Sequence, residues 1–350
     1  MRLLQAIAGA RHGGAEIFFA RLVAGLARAG VTQRVLSRAD EARSAAFRAL
    51  GIDPVHLAFG GLLDRATGPR FRREIEDFRP DVVLTWMNRA TSFCPRVTPA
   101  MRFVHVGTPR GYYNAKHYRR CDRLICATED IAGFYLARGW AAEKVCYIPN
   151  FVCPQATAPV AREELETPRG VPLVLALGRL HQNKAFDVLL EAMTRLPRHW
   201  LWLAGAGPLE RSLKRQAERL GIADRARFLG WRTDAPALLA AADVLACPSR
   251  HEPFGNIIIE AWAQGVPVVA AASEGPGRIV TSGVDGVLVP VEDAHAFARG
   301  IESVTGDADL AGRLVAAGRA AHAAAYSEPV VVGKYVAYLA NLAEARTCAA

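Results

Sequence analysis

Two carboxylates lie close together in the stretch SRHEPFGNIIIEAWAQGVPVV, which runs from residue 249 to residue 269. Because Pro253 disfavours a helical Glu252, we expect Glu252 in a loop, and a helix that starts near Gly255 places Glu260 in its second turn. A carboxylate accepts hydrogen bonds from vicinal hydroxyls, such as those of a sugar or a ribose. The pair therefore indicates a binding site for a polyol, and the alternative is a surface loop with a capping charge.

The start of this predicted helix supports a binding site. The amides of Phe254, Gly255 and Asn256 have no partner inside the helix and can meet a polar anion or a hydroxyl. The alternative for Glu260 is an exposed helix residue without a ligand. The residues on either side of Glu260 are apolar, which argues against that alternative.

Two cations follow an apolar run at residues 171–178, in the segment GRLHQNK (178–184). Arg179 offers a planar fork and Lys184 a point charge, and the two together can converge on a phosphate group. The alternative is a pair of solvated surface cations.

Gly205 and Gly207 follow the next apolar run, in the segment GAGP (205–208). Glycine lets the backbone approach a ligand closely, and a helix that begins at Pro208 directs free N–H groups towards an anion. The segment lacks the third glycine of the dinucleotide fingerprint, so we do not predict a nicotinamide site.

Strands and helices alternate in the second half, which predicts a parallel sheet with right-handed crossovers. All the residues above then follow strands, where open sheets of this type bind ligands. The predicted strands are 171–178, 199–207, 225–231, 243–249, 266–273 and 285–290, and the predicted helices are 184–196, 208–221, 235–242, 255–264, a short one near 278, and 293–305.

The first half has the same alternation in a weaker form. Strands are predicted at 1–8, 79–86, 102–107, 122–128 and 144–150, a helix at 15–29, and an amphipathic segment at 70–78. With 350 residues, of which 51% are hydrophobic, we expect an α/β chain of two doubly wound, Rossmann-like domains facing across a cleft. The predicted boundaries are 1–155 for the first domain, 156–171 for a linker, 172–328 for the second domain, and 329–350 for a C-terminal helix packing back on the first.

Charge is unevenly divided between the halves. Residues 1–150 hold 23 basic and 13 acidic side chains, a net charge of +10, whereas residues 151–350 have a net charge of −1. This suggests an anionic partner for the first half, and the alternative is a charge that serves only solubility.

The location is predicted from cysteine usage and hydropathy. The seven cysteines have no C-x-x-C spacing, which indicates a reducing compartment rather than disulfides or zinc. No apolar run reaches the length of a membrane span, and we interpret the N-terminal segment as a buried strand rather than a signal peptide. We expect a cytoplasmic protein, with peripheral contact at the inner face of the cytoplasmic membrane.

The motifs GRLHQNK, GAGP and EPFGNIIIEA resemble, in order and spacing, those of the family 4 nucleotide-sugar glycosyltransferases, which have the GT-B fold. GGAE (13–16) and IPN (148–150) are also similar to the family. The resemblance covers nearly the whole chain and is strongest over residues 172–290. One departure is Ala185, where the family usually has glycine.

The resemblance implies a role for each matching residue. Arg179 and Lys184 would hold the donor diphosphate, and Glu260 would bind the ribose hydroxyls. Glu252 would face the donor sugar, helped by the backbone at Phe254 and Gly255.

Further roles follow from the same resemblance. Gly13 and Gly14 would approach the diphosphate from the first domain. Loop residues Trp231 and Arg232 would flank the base. His105 matches the histidine that such enzymes place near the transferred sugar, although on spacing alone it is a core or surface histidine.

The family implies transfer of a sugar with retention of configuration and without a tightly bound metal. The donor would be a UDP-sugar or a GDP-sugar, and the acceptor an anionic or lipid-linked glycan of the bacterial cell envelope, such as the lipopolysaccharide core. An alternative is a nucleotide-sugar epimerase or hydrolase on the same fold. A non-enzymatic binder of anionic polymers is disfavoured, because no nucleic-acid motif is visible.

Overall fold

All strands of the computed structural model, which describes residues 1–9, 13–61, 63–98 and 101–348, lie in two parallel sheets. The sheets belong to two compact units. The first unit is Met1–Phe151 together with Glu328–Ala350, and the second is Val152–Ser327.

The first unit has a seven-stranded sheet in the order β3-β2-β1-β4-β5-β6-β7. Parallel pairing brings the carboxyl ends of neighbouring strands together, as where Trp86 of β4 lies beside Thr108 of β5. The strands are β1 (Arg2–Ile7), β2 (Thr32–Ser37), β3 (Val55–His56), β4 (Val82–Trp86), β5 (Val104–Thr108), β6 (Arg123–Cys126) and β7 (Val145–Tyr147). The helices are α1 (Gly14–Arg28), α2 (Glu41–Arg48), α3 (Thr67–Phe78), α4 (Met87–Phe93) and α5 (Glu129–Leu136).

The second unit has a six-stranded sheet in the order β10-β9-β8-β11-β12-β13. The strands are β8 (Leu173–Leu177), β9 (Trp200–Ala204), β10 (Ala226–Gly230), β11 (Val244–Cys247), β12 (Val268–Ala271) and β13 (Val287–Val289). The helices are α6 (Phe186–Met193), α7 (Glu210–Arg219), α8 (Ala235–Ala241), α9 (Asn256–Gln264), α10 (Pro276–Ile279), α11 (Ala294–Gly306) and α12 (Ala308–Ala321).

Every predicted strand of the second half is present. Of the six, β8, β9, β11 and β12 are almost entirely buried, and β10 and β13 are partly buried. All five residues of β8, for example, are buried, as are all four of β11. Such strands consist of continuous apolar residues, which makes them easy to recognise. The all-parallel sheet, with helices between its successive strands, confirms the predicted doubly wound fold.

The first unit contains two strands that sequence reasoning missed. Half of β2 is polar and incompletely buried, and β3 has only two residues. β3 is the edge strand of the sheet and β2 lies next to it, between β3 and β1, and burial imposes less hydrophobicity on this side of the sheet. The helices α2, α4 and α5 of the first unit were also not predicted, nor was α12 of the second.

The last helix, α13 (Glu328–Cys348), belongs to the first unit. Its Val332 lies so close to α1 that a Cβ built on Gly25 would come within 2.7 Å of it. The Tyr335 hydroxyl accepts a hydrogen bond from Arg110 at 3.1 Å, and Arg346 forms an ion pair with Asp81 at 2.9 Å.

Candidate active site

Lys184 and Glu252 form an ion pair at the carboxyl edge of the second sheet. Lys184 ends a short 3-10 turn after β8, and Glu252 lies in the loop after β11, the strand next to β8. Their side chains are 24% and 12% exposed, so solvent still reaches the pair. The two predicted charges therefore meet as the strand order requires.

The ion pair keeps Lys184 charged. Burial acts to lower the pKa of the Lys184 ammonium, but the Glu252 carboxylate outweighs it, and the pKa is raised above its ordinary value. Cys247, at the end of β11, is fully buried nearby, and burial raises the pKa of its thiol to about 11. The site thus presents an ammonium at neutral pH and a thiol that stays protonated.

Ala185, directly after Lys184, has a left-handed backbone with φ 50° and ψ 35°. This conformation favours glycine, the residue that the resemblance leads one to expect at this position. Ala185 is completely buried and leads directly into α6. The turn that carries Lys184 is therefore held in its shape despite some backbone strain.

Arg179 is exposed and forms no hydrogen bond or ion pair with any residue that the structure describes. It follows β8 by two residues, on the same edge of the sheet as Lys184. Its guanidinium group is therefore available to an anionic ligand.

The helix α9 begins as the sequence predicts. Gly255 caps it with φ 98°, a left-handed conformation suited to glycine, and Phe254 is buried against the ring of Tyr326 at 6.2 Å between centroids. Asn256 and Glu260 are half-buried in the first two turns of α9. Glu260 thus lies neither in the core nor on a fully exposed face.

Gly205 and Gly207 are required by close packing of two loops. A Cβ on Gly205 would lie 1.8 Å from the carbonyl oxygen of Gly178, and one on Gly207 would lie 2.4 Å from that of Leu180. The Leu180 amide donates to the Ala206 carbonyl at 3.0 Å. The close approach that we predicted for a ligand is thus observed for the neighbouring backbone, and ligand contact stays a prediction.

Arg232 pairs with an acidic residue two positions further along the chain. Its Nε donates to Asp234 at 2.8 Å and its Nη2 to the other Asp234 oxygen at 2.5 Å. Trp231 is 45% exposed beside it. The proposed contact of these residues with a base stays a prediction, and it requires Arg232 to share its guanidinium or leave Asp234.

His105 lies in the core of the first unit, which argues against the predicted place beside the transferred sugar. It is the second residue of β5 and only 1% exposed. Its Nε2 lies 2.9 Å from the Thr85 hydroxyl and its Nδ1 3.3 Å from the Arg120 carbonyl oxygen. Burial lowers its pKa to about 4, so the imidazole is neutral, bonded on both sides and shielded from solvent.

Gly13 and Gly14 lie at the start of α1 in the first unit. A Cβ on Gly13 would collide with a carboxylate oxygen of Glu16, at 2.2 Å. A carboxylate therefore lies against the backbone that we predicted to approach a diphosphate, and this role stays a prediction.

Sequence reasoning missed the residues that fasten the loop carrying Glu252. Arg250 forms a two-pronged ion pair with Asp187, at 2.9 and 2.7 Å, and contacts Glu292. Glu274 accepts from the Glu252 amide at 3.2 Å and lies 2.9 Å from the His251 ring. Their position next to the motif was a signal, but their partners are distant in sequence.

Within the described part of the chain, no group of three or more histidine, cysteine or acidic side chains is arranged to hold a metal ion. None of the described helices is both long and apolar enough to cross a membrane.

Solved glycosyltransferase structures have the same fold. The crystal structure of Anabaena Alr3699/HepE in complex with UDP-glucose superimposes with a TM-score of 0.84 at 22% identity, covering 97% of this chain and 100% of that one. The lipopolysaccharide outer core galactosyltransferase WaaB, in its apo form, gives 0.71 at 17% identity, with 96% and 98% covered. Two Rossmann-like units with these neighbours define the GT-B class.

Sequence comparisons place the chain within that class. A model for glycosyl transferases group 1 matches residues 158–321, and one for glycosyltransferase family 4 matches residues 12–156. The lipopolysaccharide core biosynthesis glycosyltransferase LpsE of Rhizobium meliloti (strain 1021) is 36% identical, over 95% of this chain and 97% of that protein. LpsD of the same strain is 32% identical over 93% and 94%. The chain belongs to glycosyltransferase family 4 and is a glycosyltransferase.

Proposed function

We propose that this enzyme transfers a sugar, with retention of configuration, from a nucleotide-sugar donor to a hydroxyl of a lipopolysaccharide core glycan. The observation that carries the proposal is the Lys184–Glu252 pair at the carboxyl edge of the second sheet, with Arg179, which has no partner in the described part of the chain, on the same edge. The names of LpsE and LpsD support the class of acceptor.

The cations suit the departure of a nucleoside diphosphate. Negative charge grows on the diphosphate as the glycosidic bond breaks, and groups that are already in position stabilise it most effectively. Lys184 has a raised pKa and is therefore an ammonium when the donor arrives. Arg179 adds a planar fork that can bind two phosphate oxygens.

Glu252 is balanced by Lys184 in the free enzyme. A diphosphate that takes over Lys184 frees Glu252 to accept hydrogen bonds from hydroxyls of the donor sugar. Glu260 would accept from the ribose hydroxyls in the same way. Donor binding thus exchanges one ion pair for a set of charge-assisted hydrogen bonds.

Retention is best accommodated by a front-face reaction. The acceptor hydroxyl attacks the anomeric carbon on the side from which the diphosphate leaves, and a leaving phosphate oxygen takes the hydroxyl proton. Arg179 and Lys184 would then compensate the diphosphate charge without a tightly bound divalent cation. His105 has no part in these steps, since it is buried and neutral.

The donor is proposed to be a UDP-sugar, with a GDP-sugar as the alternative. The HepE structures contain UDP, UDP with glucose, or UDP-glucose. The acceptor is proposed to bind the first unit, because residues 1–150 carry a net charge of +10 and suit a phosphorylated or membrane-borne glycan.

The test of the donor site is thermal unfolding of the purified chain with UDP-, GDP- and ADP-sugars in the presence of EDTA. A ligand that binds the folded state raises the midpoint by mass action. We expect one nucleotide class to raise it, and Lys184→Ala and Glu260→Ala to abolish the shift. A shift that persists in both variants would refute the donor site proposed here.

The test of the reaction is product analysis with a core-truncated lipopolysaccharide acceptor. We expect a glycoside whose anomeric configuration, measured by NMR, equals that of the donor. Free sugar or an isomerised nucleotide sugar, formed equally without acceptor, would instead support a hydrolase or an epimerase.

A further inference from the structure

Arg250 lies in the loop that follows β11, and its side chain is only 18% exposed. Its Nη1 and Nη2 donate to the two oxygens of Asp187 at 2.9 and 2.7 Å, and its Nε contacts Glu292. Nη1 also donates to the carbonyl of Gln182 at 2.9 Å. Because every guanidinium nitrogen has a partner, Arg250 is occupied as a fastener and is not placed to bind a ligand.

The residues that Arg250 joins flank the two charges of the active site. Gln182 begins the turn that ends at Lys184, and Asp187 lies in the first turn of α6, just after it. Arg250 itself precedes Glu252 by two residues. The backbone reinforces the link, since the amides of Arg250 and His251 both donate to the Asn183 carbonyl, at 2.8 and 3.2 Å.

Local backbone geometry indicates that this arrangement is imposed by contacts. Ala185, after Lys184, and Glu292, the second carboxylate on Arg250, are both non-glycine residues with positive φ, of 50° and 65°. Such conformations persist where the surroundings hold them, and they gather at functional sites. Two of them adjoin the same guanidinium network.

We propose that Arg250 is a positioning residue for sugar transfer, which holds the Glu252 loop against the Lys184 turn so that both charges are in place before the donor binds. Asp187 is the other half of this clamp. The inference rests on the proposed function and adds to it two residues that do not touch the donor.

The clamp predicts a loss of donor use that exceeds any loss of stability. Misplacing catalytic groups by about 1 Å costs on the order of 100-fold in rate. For Arg250→Gln and for Asp187→Asn we therefore expect kcat/KM for the nucleotide sugar to fall by about 10- to 100-fold, with KM for the acceptor unchanged. In the double variant, kcat/KM for the nucleotide sugar should fall no further than in the more impaired single variant, because either substitution alone already breaks the same clamp.

Arg250→Lys separates geometry from charge. A lysine keeps the positive charge but cannot reach both Asp187 oxygens, Glu292 and the Gln182 carbonyl with one ammonium. Compared with Arg250→Gln, we expect Arg250→Lys to recover less than half of the loss in log(kcat/KM) for the nucleotide sugar. Full activity in Arg250→Lys would overturn a positioning role, since charge alone would then suffice.

A double-mutant cycle tests whether Arg250 acts through Glu252. The effect of Arg250→Gln on donor kcat/KM should be much smaller in a Glu252→Gln background than in the wild type. Equal effects in both backgrounds would contradict the clamp. Asp187→Asn is the milder substitution if Arg250→Gln fails to fold.

Arg215→Gln is the matched control, because Arg215 is exposed on α7 and has no partner among the described residues. It should leave kinetics and unfolding midpoint unchanged. If the wild type uses a nucleotide sugar and Arg250→Gln has the same kcat and the same KM for the donor, the positioning role of Arg250 is refuted and the proposed function stands. If the wild type neither binds nor uses any nucleotide sugar, the proposed function fails and the clamp with it.

Discussion

The candidate catalytic residues of the second unit differ in position and burial from the candidate in the first unit. Lys184 and Glu252 lie in loops after strands, partly open to solvent and paired with each other. His105 lies inside β5, buried at 1% exposure, with hydrogen bonds at both ring nitrogens. In this fold a residue just beyond a strand faces ligands, whereas a residue within a buried strand serves the core.

The difference also appears in the charge state. Lys184 is kept charged by a carboxylate, whose attraction outweighs the cost of burial. His105 has no carboxylate side chain on its ring nitrogens, so burial dominates and the imidazole stays neutral. Burial alone removes a charge, and burial beside an opposite charge retains it.

The largest expected effect is that of Lys184→Ala. It removes a preorganised cation from the leaving diphosphate, so we expect kcat to fall by about a thousandfold. The unfolding midpoint should change little, because the ion pair is partly solvated. Steady-state kinetics and thermal unfolding measure the two quantities.

Lys214→Ala is the control for that substitution. Lys214 is exposed on α7 and pairs with Glu210 at 2.8 Å. Its loss should leave turnover intact. Near-normal turnover in Lys184→Ala would contradict the proposal that Lys184 binds the donor diphosphate.

A second contrast concerns stability, in Gly205→Ala against Gly13→Ala. The new methyl at residue 205 would meet backbone at 1.8 Å, whereas at residue 13 it would meet the movable end of Glu16. We expect Gly205→Ala to cost about 3 kcal/mol of unfolding free energy, as overpacking does. Gly13→Ala, at a helix cap, should cost no more than about 1 kcal/mol. Urea unfolding of both variants gives the values, and equal losses would contradict the loop packing described here.

A third contrast is the pH dependence that His105 confers. Its pKa falls from an ordinary 6.5 to about 4 on folding, so the native state binds fewer protons between these values. The contribution of His105 to the free energy of unfolding is therefore fully present above pH 6.5 and is lost as the pH falls towards 4. It amounts to about 3 kcal/mol.

The measurement is urea unfolding of the wild type and His105→Gln at several pH values from 7 to 4. The variant should lose less stability over this interval than the wild type does. At pH 7.5, and at an assay temperature well below the melting temperature of the variant, kcat of His105→Gln should match that of the wild type. A loss of kcat as large as that expected for Lys184→Ala would instead indicate that His105 takes part in sugar transfer.

The smallest effect is expected for Ala185→Gly. Glycine relieves a left-handed alanine, worth about 1–2 kcal/mol, but it adds freedom to the unfolded chain and removes a buried methyl. These terms nearly cancel, so unfolding free energy should change by less than about 1 kcal/mol with activity retained. Ala192→Gly, at a fully buried position inside α6, should cost more.

The sequence anticipated the second unit better than the first, for a physical reason. Strands such as β8 and β11 are buried throughout and are therefore continuous apolar runs. The half-polar β2 and the two-residue β3 carry no such pattern. The prediction of site residues depended on the same pattern. The motifs of the second unit follow strands that their apolar runs located, whereas the role of His105 was assigned by resemblance alone.

The amino-acid sequence by itself determined the alternation of strands and helices, the two-unit α/β fold, the loops in which Lys184 and Glu252 lie, and the helix that carries Glu260, because hydrophobic period and turn residues are local properties. Only the tertiary structure decided that Lys184 pairs with Glu252, that Arg250 joins their loops through Asp187, and that His105 is enclosed in the core. Each of these depends on residues brought together from distant parts of the chain, and no local pattern encodes such a pairing or the pKa that results from it.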